Sequence, residues 1–130
     1  MKKILIVDDD STLLKLYSQA FLNANFSVDA LLKLSEVPEV THHIKYDIIL
    51  LDLMFPDTNS LSTIRTIRTP ESLNSKTPLI VLTNLDSGDL TKKAIENGAN
   101  ECLFKASQTP KTIFEAAMRL SSSDNNHGES

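Results

Sequence analysis

The sequence predicts an α/β protein built on one doubly wound, five-stranded parallel sheet with helices on both faces. Two observations carry that expectation. Short, nearly continuous apolar runs occur at KILIV (Lys3–Val7), DIILL (Asp47–Leu51) and LIVL (Leu79–Leu82), the pattern of strands buried on both faces. The segments between the runs have helical apolar spacing, and a regular strand–helix alternation calls for parallel strands joined by right-handed crossovers.

Taken in order, Lys3–Val7 is the first strand. Leu13, Leu16, Tyr17, Ala20 and Phe21 then recur at helical spacing, with Asp10 or Ser11 as the cap. In FSVDALL, Phe26, Val28 and Ala30 alternate with Ser27 and Asp29, as in a half-buried strand nearer an edge. SEVPEVTHHI reads as a short helix in which Pro38 sits in the first turn or interrupts it. Its His42 and His43 read as surface residues. Asp47–Leu51 is the third strand, Leu61, Ile64 and Ile67 mark a short helix, and Leu79–Leu82 is the fourth strand. Leu90, Ala94 and Ile95 mark another helix, stopped near Gly98, and ECLFK (Glu101–Lys105) is a second peripheral strand. The last helix has Thr109 as cap, Pro110 at its first position, and Ile113, Phe114, Ala117 and Met118 on one face. Residues 1–120 thus form one domain. Residues 121–130, SSSDNNHGES, hold nothing apolar to bury and read as a disordered polar tail or linker stub.

Composition excludes several function classes. With 130 residues, a net charge of −4 and no long basic run, the chain lacks the clustered cations that nucleic-acid binding needs. The single cysteine, Cys102, forms no internal bridge and suits a reducing compartment. The opening MKKILIVDDD is too briefly apolar for a signal peptide or a membrane span, so a cytoplasmic protein is expected.

Ligands in a doubly wound sheet bind at the carboxyl ends of the strands. Here those ends deliver Asp8 and Asp9, Asp52, Thr83 and Lys105. Carboxylates crowded in a crevice raise one another's pKa and lose hydration, which a divalent cation relieves. Oxygen-only ligands favour a hard ion such as Mg2+. A carboxylate beside such an ion is a competent nucleophile toward a phosphoryl group, with Lys105 and Thr83 suited to stabilise the phosphoryl charge.

At LIVDDDS, IILLDLMFPD, IVLTN and GANECLFKA, in this order and at this spacing, the chain resembles the receiver domains of two-component response regulators. The resemblance covers residues 2–120. It implies a flavodoxin-like (βα)5 fold with strand order 2-1-3-4-5, the order the doubly wound chemotaxis regulators share. It also implies that Asp52 is the phosphoacceptor, and that Asp8, Asp9, Asp52 and the backbone carbonyl of Met54 hold Mg2+. Thr83 is then the hydroxyl that moves toward the phosphoryl group, Lys105 its cationic partner, and Pro56 the proline that follows the acceptor. The implied donor is a phosphohistidine on a sensor histidine kinase or a histidine phosphotransfer protein. The output is a downstream effector protein or domain, with homodimerisation on phosphorylation as one route. Output surfaces in this family lie around the fourth helix, last strand and last helix, here Lys93, Glu96, Cys102, Phe104 and Arg119.

Four positions depart from the family pattern. Cys102 replaces the usual switch aromatic, and Ala106 the proline after the lysine. Ser60 replaces a loop glycine, where a positive φ would strain a serine, and Asn84 a small residue beside the hydroxyl. Two rival readings follow. One is an interaction module that keeps the fold without phosphorylation. The other is a phosphatase resembling haloacid dehalogenases, with Asp8 of DDDST as nucleophile; it leaves Asp52 unexplained and puts its later acidic motif where little chain remains. Met54 and Leu85 flank the site with apolar side chains that position no attacking water. A receiver of this sequence is therefore expected to lose its phosphoryl group slowly. A phosphate adduct decaying within about a few seconds without a phosphatase, a rate of order 1 per second, would contradict that expectation.

Overall fold

Residues 1–53, 58–84 and 88–127 are described by the structure, a computed structural model, with the side chains of 58–60 and 123–127 outside that description. The strands are β1 (Lys3–Val7), β2 (Ser27–Leu31), β3 (Ile48–Asp52), β4 (Leu79–Thr83) and β5 (Glu101–Phe104). They form one parallel sheet in the order β2-β1-β3-β4-β5. The helices are α1 (Ser11–Asn23), α2 (Val37–His43), α3 (Thr58–Ile67), α4 (Gly88–Glu96) and α5 (Pro110–His127). The expected fold class and strand order are both present.

The period of two along each central strand divides the core between the sheet's faces. Ile4, Ile6, Ile48, Leu50, Ile80 and Leu82 pack with Leu14, Tyr17 and Phe21 of α1 and Ile113, Ala116 and Ala117 of α5. Leu5, Val7, Ile49, Leu51, Leu79 and Val81 pack on the other face with Val37, Ile64, Ile67 and Ala94. Each face is apolar throughout, so the runs that looked continuous in the sequence serve two cores at once. Register then sets the rim. Val7 lies opposite Leu51, and Asp52 opposite Leu82, so β1, β3 and β4 end together.

The helix boundaries follow local chemistry. The Asp10 carboxylate accepts from the backbone N–H groups of Thr12 (2.9 Å) and Leu13 (3.2 Å), capping α1. Thr109 caps α5, its Oγ1 accepting from Thr112 N at 3.1 Å while Thr112 Oγ1 accepts from Thr109 N at 2.8 Å. Pro38 sits in the first turn of α2, where a missing N–H costs nothing. Beyond α4, Gly98 takes φ +124°, and a Cβ there would stand 2.6 Å from Arg68 Cγ.

Four expectations need correction. On α1 the buried stripe is Leu14, Tyr17 and Phe21, while Leu16 is half exposed. With leucines at 13, 14 and 16, spacing alone does not choose the phase, and the sheet does. On α4, Ile95 is exposed and only Leu90 and Ala94 are buried. On β2, Ala30 is exposed, since an edge strand is covered on one side only. Finally, α5 continues to His127, so 121–127 are helical where composition pointed to disorder. Extending a formed helix avoids the cost of nucleation, and Ser121 is buried, accepting from Lys2 Nζ at 3.3 Å and donating to Met118 O at 3.2 Å. Residues 128–130 lie outside the described residues.

A buried polar network at the amino ends of the strands was not legible as such. Asn74, fully buried, donates to the carbonyls of Thr41 (2.8 Å) and Ile44 (2.7 Å) and accepts from Tyr46 N (2.8 Å) and Thr77 Oγ1 (2.9 Å). Arg68 donates to the carbonyls of Gly98 (2.9 Å), Asn74 (3.0 Å) and Thr77 (2.6 Å). The connection between α3 and β4 is thereby pinned under α2 and against the turn after α4. Asn74→Ala strands several buried backbone groups and is expected to cost about 2–4 kcal/mol in urea unfolding. A loss under 1 kcal/mol, about the worth of one ordinary hydrogen bond, would mean that water replaces the amide.

Candidate functional site

Two adjacent strands each deliver a carboxylate to the carboxyl rim of the sheet. Asp8 follows β1 directly and is 1% exposed; Asp52 ends β3 and is 4% exposed. Asp9, the next residue after Asp8, is exposed. Carboxylate oxygens of Asp8, Asp9 and Asp52 lie within 4.8 Å of one another, a spacing that fits a shared metal ion. Asp8 is held by its Oδ1, which accepts from the Asp10 N–H at 2.9 Å. The same short turn therefore orients one carboxylate and caps α1.

Lys105, first residue after β5, reaches back across the rim. Its Nζ donates to Asp8 Oδ2 and Asp52 Oδ2, both at 3.3 Å, and its side chain is only 7% exposed. The peptide bond to Ala106 is trans, and Lys105 enters the site all the same. Asp52 Oδ1 is buried and has no hydrogen-bond partner among the described residues.

The electrostatics follow from this crowding. Burial, and then the neighbouring Asp8 charge, push the Asp52 carboxyl up to about 7, against the opposing pull of Lys105. The Lys105 ammonium is itself held above its usual value: burial lowers it, but Asp52 and Asp8 outweigh burial. The cluster is a net-acidic pocket with one cation shared between two carboxylates. An ion with oxygen preference fits it, since the orphaned Asp52 oxygen and the exposed Asp9 both have acceptor capacity to spare.

Of the residues expected at the site, the structure brings Asp8, Asp9, Asp52 and Lys105 together. Thr83 ends β4, is 2% exposed and stands in register with Phe104 on the same rim. Asn84 after it is exposed. Met54, Pro56 and Leu85 lie outside the described residues. Ser60 falls within helical α3, so the anticipated strain at positive φ does not arise. Cys102 is half-buried against the face covered by α4; burial pushes its thiol up, while a hydrogen bond with Thr91 pulls it back. Phe104 is half-buried, and Lys93, Glu96 and Arg119 are exposed. Lys93 pairs with Asp89 at 3.3 Å, and Arg119 with Glu101 at 3.0 Å. Sequence reasoning did not anticipate a cavity of about 290 Å³ beside the carboxylates, lined by Val7, Asp9 and Asp52 and by residues 32–35. Nothing in the residue types of that loop signals it.

Fold and site together define a doubly wound α/β protein whose polar centre is an acidic cluster at the carboxyl rim. The chain matches the response regulator receiver domain over residues 4–117. It is 33% identical over 136 residues to a transcriptional regulatory protein, the CpxR homolog of Haemophilus influenzae, covering 98% of this chain and 55% of the relative. It is 32% identical over 107 residues to the transcriptional regulatory protein CusR of Escherichia coli, covering 79% of this chain and 44% of the relative. Its fold superposes on a CheY-like receiver domain protein from Methanospirillum hungatei with a TM-score of 0.86 at 20% identity, covering 98% of each chain. The chain belongs to the response regulator receiver domain family of two-component signal transduction. It spans about half the length of these curated relatives. Among the described residues, no helix is long and apolar enough to cross a membrane.

The raised Asp52 value carries a pH dependence. The folded protein binds the Asp52 proton more tightly than the unfolded chain, whose carboxyl has the ordinary value of 3.8. The stabilisation linked to that proton is full below 3.8 and is lost as pH rises through about 7. In metal-free buffer, Asp52→Asn is therefore expected to raise stability at alkaline pH by about 1–3 kcal/mol. The gain should shrink toward pH 5, as the wild-type carboxyl takes up its proton. Urea unfolding of both proteins across this range reads the difference, and a gain independent of pH would assign it to packing.

Proposed function

We propose that this receiver domain accepts a phosphoryl group on Asp52 from a phosphohistidine of a sensor histidine kinase or histidine phosphotransfer protein, and changes conformation to control an output. The observation that carries the reading is the buried Asp52 Oδ1, an acceptor without a partner among the described residues, inside an acidic cluster that one lysine spans.

Each side chain has a task in that reaction. An Asp52 oxygen attacks phosphorus as the P–N bond of the donor breaks, and the departing imidazole keeps the electron pair of that bond. Lys105 is poised to move from the carboxylates to a phosphoryl oxygen, because it already bonds Asp52 Oδ2. Thr83, on the neighbouring strand end, supplies a hydroxyl to the same group. Asp8 and Asp9, with Asp52 and the Met54 carbonyl that the family resemblance adds, would hold Mg2+; when bound it neutralises carboxylate and phosphoryl charge. The output surface is the α4–β5–α5 face with Lys93, Glu96, Cys102, Phe104 and Arg119, serving an effector or a second copy of the domain. Cys102 stands where a swinging aromatic would be, so the signal on that face does not pass through a ring at that position. A cytoplasmic location fits this role.

Incubation with Mg2+ and acetyl phosphate, followed by intact-mass measurement, tests the assignment. A single phosphate adduct is expected for the wild type and none for Asp52→Ala. Chelation of the metal should slow formation by about a hundredfold or more, the scale of removing a principal charge stabiliser. Steady phosphate release that depends on Asp8 would point to phosphatase chemistry instead. No adduct together with weak Mg2+ binding would identify a phosphorylation-independent interaction module.

A further inference from the structure

The cavity beside the carboxylates has no part in the transfer described above. It holds about 290 Å³, near the lower limit for sites that take a small molecule, roughly 300 Å³. Asp52 in its wall ends β3, Val7 ends β1 with Asp9 soon after, and residues 32–35 follow β2. Because β1 stands between β2 and β3, the cavity runs sideways along the rim over two strand spacings, about 10 Å. Lys105 reaches Asp52 from the opposite side, where β4 and β5 lie.

The walls change character along that course. The Asp52 and Asp9 carboxylates stand at one end. Val7, Leu32 and Leu34 add apolar surface, and Leu32 is left 49% exposed. Carbon atoms of a ligand lying against these side chains would take that surface out of water. Lys33 enters from the other end; it is exposed and has no ion pair among the described residues. Its flexible four-carbon stem can carry the ammonium toward the middle of the cavity. In displacement at phosphorus the leaving group lies opposite the attacking oxygen, and a phosphoryl donor meeting Asp52 needs room for that other half. The lining suits a leaving group that is short, partly apolar and negatively charged on departure.

We propose that this cavity is a leaving-group subsite for small acyl phosphates, mixed anhydrides of phosphate and a short-chain carboxylic acid, which phosphorylate Asp52 without a partner protein. An Asp52 oxygen attacks phosphorus and the P–O bond to the acyl group breaks. The acyl oxygen keeps the electron pair and departs as a carboxylate, with no proton transferred. Lys33 pairs with that carboxylate, while Val7, Leu32 and Leu34 cover its carbons. The imidazole of a phosphohistidine leaves without a negative charge and makes no use of Lys33. The inference rests on the receiver reading for its acceptor; carboxylate binding in the cavity does not.

Rates of adduct formation at limiting donor, read by intact mass in Mg2+ buffer, test the subsite with acetyl phosphate, butyryl phosphate and phosphoramidate. The two acyl donors share one reacting bond and differ by two methylenes, whereas phosphoramidate loses ammonia and has no acyl group. The wild type is expected to react with butyryl phosphate about threefold to tenfold faster than with acetyl phosphate, the scale of partly burying two methylenes. Leu32→Ser should reduce that preference. Lys33→Gln is expected to lower the ratio of the acetyl phosphate rate to the phosphoramidate rate by about twofold to fivefold, the scale of one exposed ion pair. Both side chains are exposed, so the fold tolerates either change. A second measurement needs no phosphoryl transfer. Sodium butyrate should shift the methyl NMR signals of Val7, Leu32 and Leu34 in the wild type, and less so in Lys33→Gln. Equal rates for the two acyl donors, or a ratio unchanged by Lys33→Gln, overturn the subsite even where butyrate binds. Butyrate shifts in a wild type that no donor labels uphold carboxylate binding and reject the receiver chemistry instead. Neither labelling nor shifts rejects both.

Discussion

The ion pairs from Lys105 to Asp8 and Asp52 are the constraint on which the site depends. Two carboxylates buried at the ends of neighbouring parallel strands repel one another in a medium that screens them poorly. One cation between them makes the arrangement tolerable. The lysine comes from the far side of the sheet, since β5 stands two strand spacings from β3, about 10 Å. A long, unbranched stem bridges that gap, nearly covered along its length, and its Nζ bonds both carboxylates at the rim. Strand order, lysine length and carboxylate placement are thus one requirement seen from three sides.

Such an arrangement needs rigid support. The continuous runs of β1, β3 and β4 supply it by packing two separate cores, one on each face. Asp10 ties the site to its scaffold, because its backbone N–H holds Asp8 while its carboxylate starts α1. Three consecutive aspartates consequently divide their labour. Asp8 is buried and paired, Asp9 is exposed toward the shared cluster, and Asp10 is spent on the helix.

The architecture was legible because buried parallel strands leave an unambiguous trace, and because polar residues directly after such strands have few places to go. Asp8, Asp9, Asp52 and Lys105 were found that way. What was not legible was phase and reach. Leu13, Leu14 and Leu16 offer α1 several apolar faces, and only the sheet selects Leu14 over Leu16. Residues 69–78 look like an ordinary polar loop, yet Ser72, Asn74 and Thr77 are among the most buried polar groups described, because their partners are distant backbone carbonyls that no local pattern encodes.

The two ends of the sheet are built to opposite specifications. At the amino ends, Arg68 and Asn74 leave the polar groups around them satisfied by short bonds to backbone. At the carboxyl ends, charge is only partly balanced and a carboxylate oxygen stands without a partner among the described residues. Opening of the native protein should therefore begin at one rim, with backbone amides at the carboxyl ends of the strands trading hydrogen for deuterium ahead of those at the amino ends. The molecule is a comb gripped at its spine, and the freedom it has is confined to the teeth that carry the chemistry.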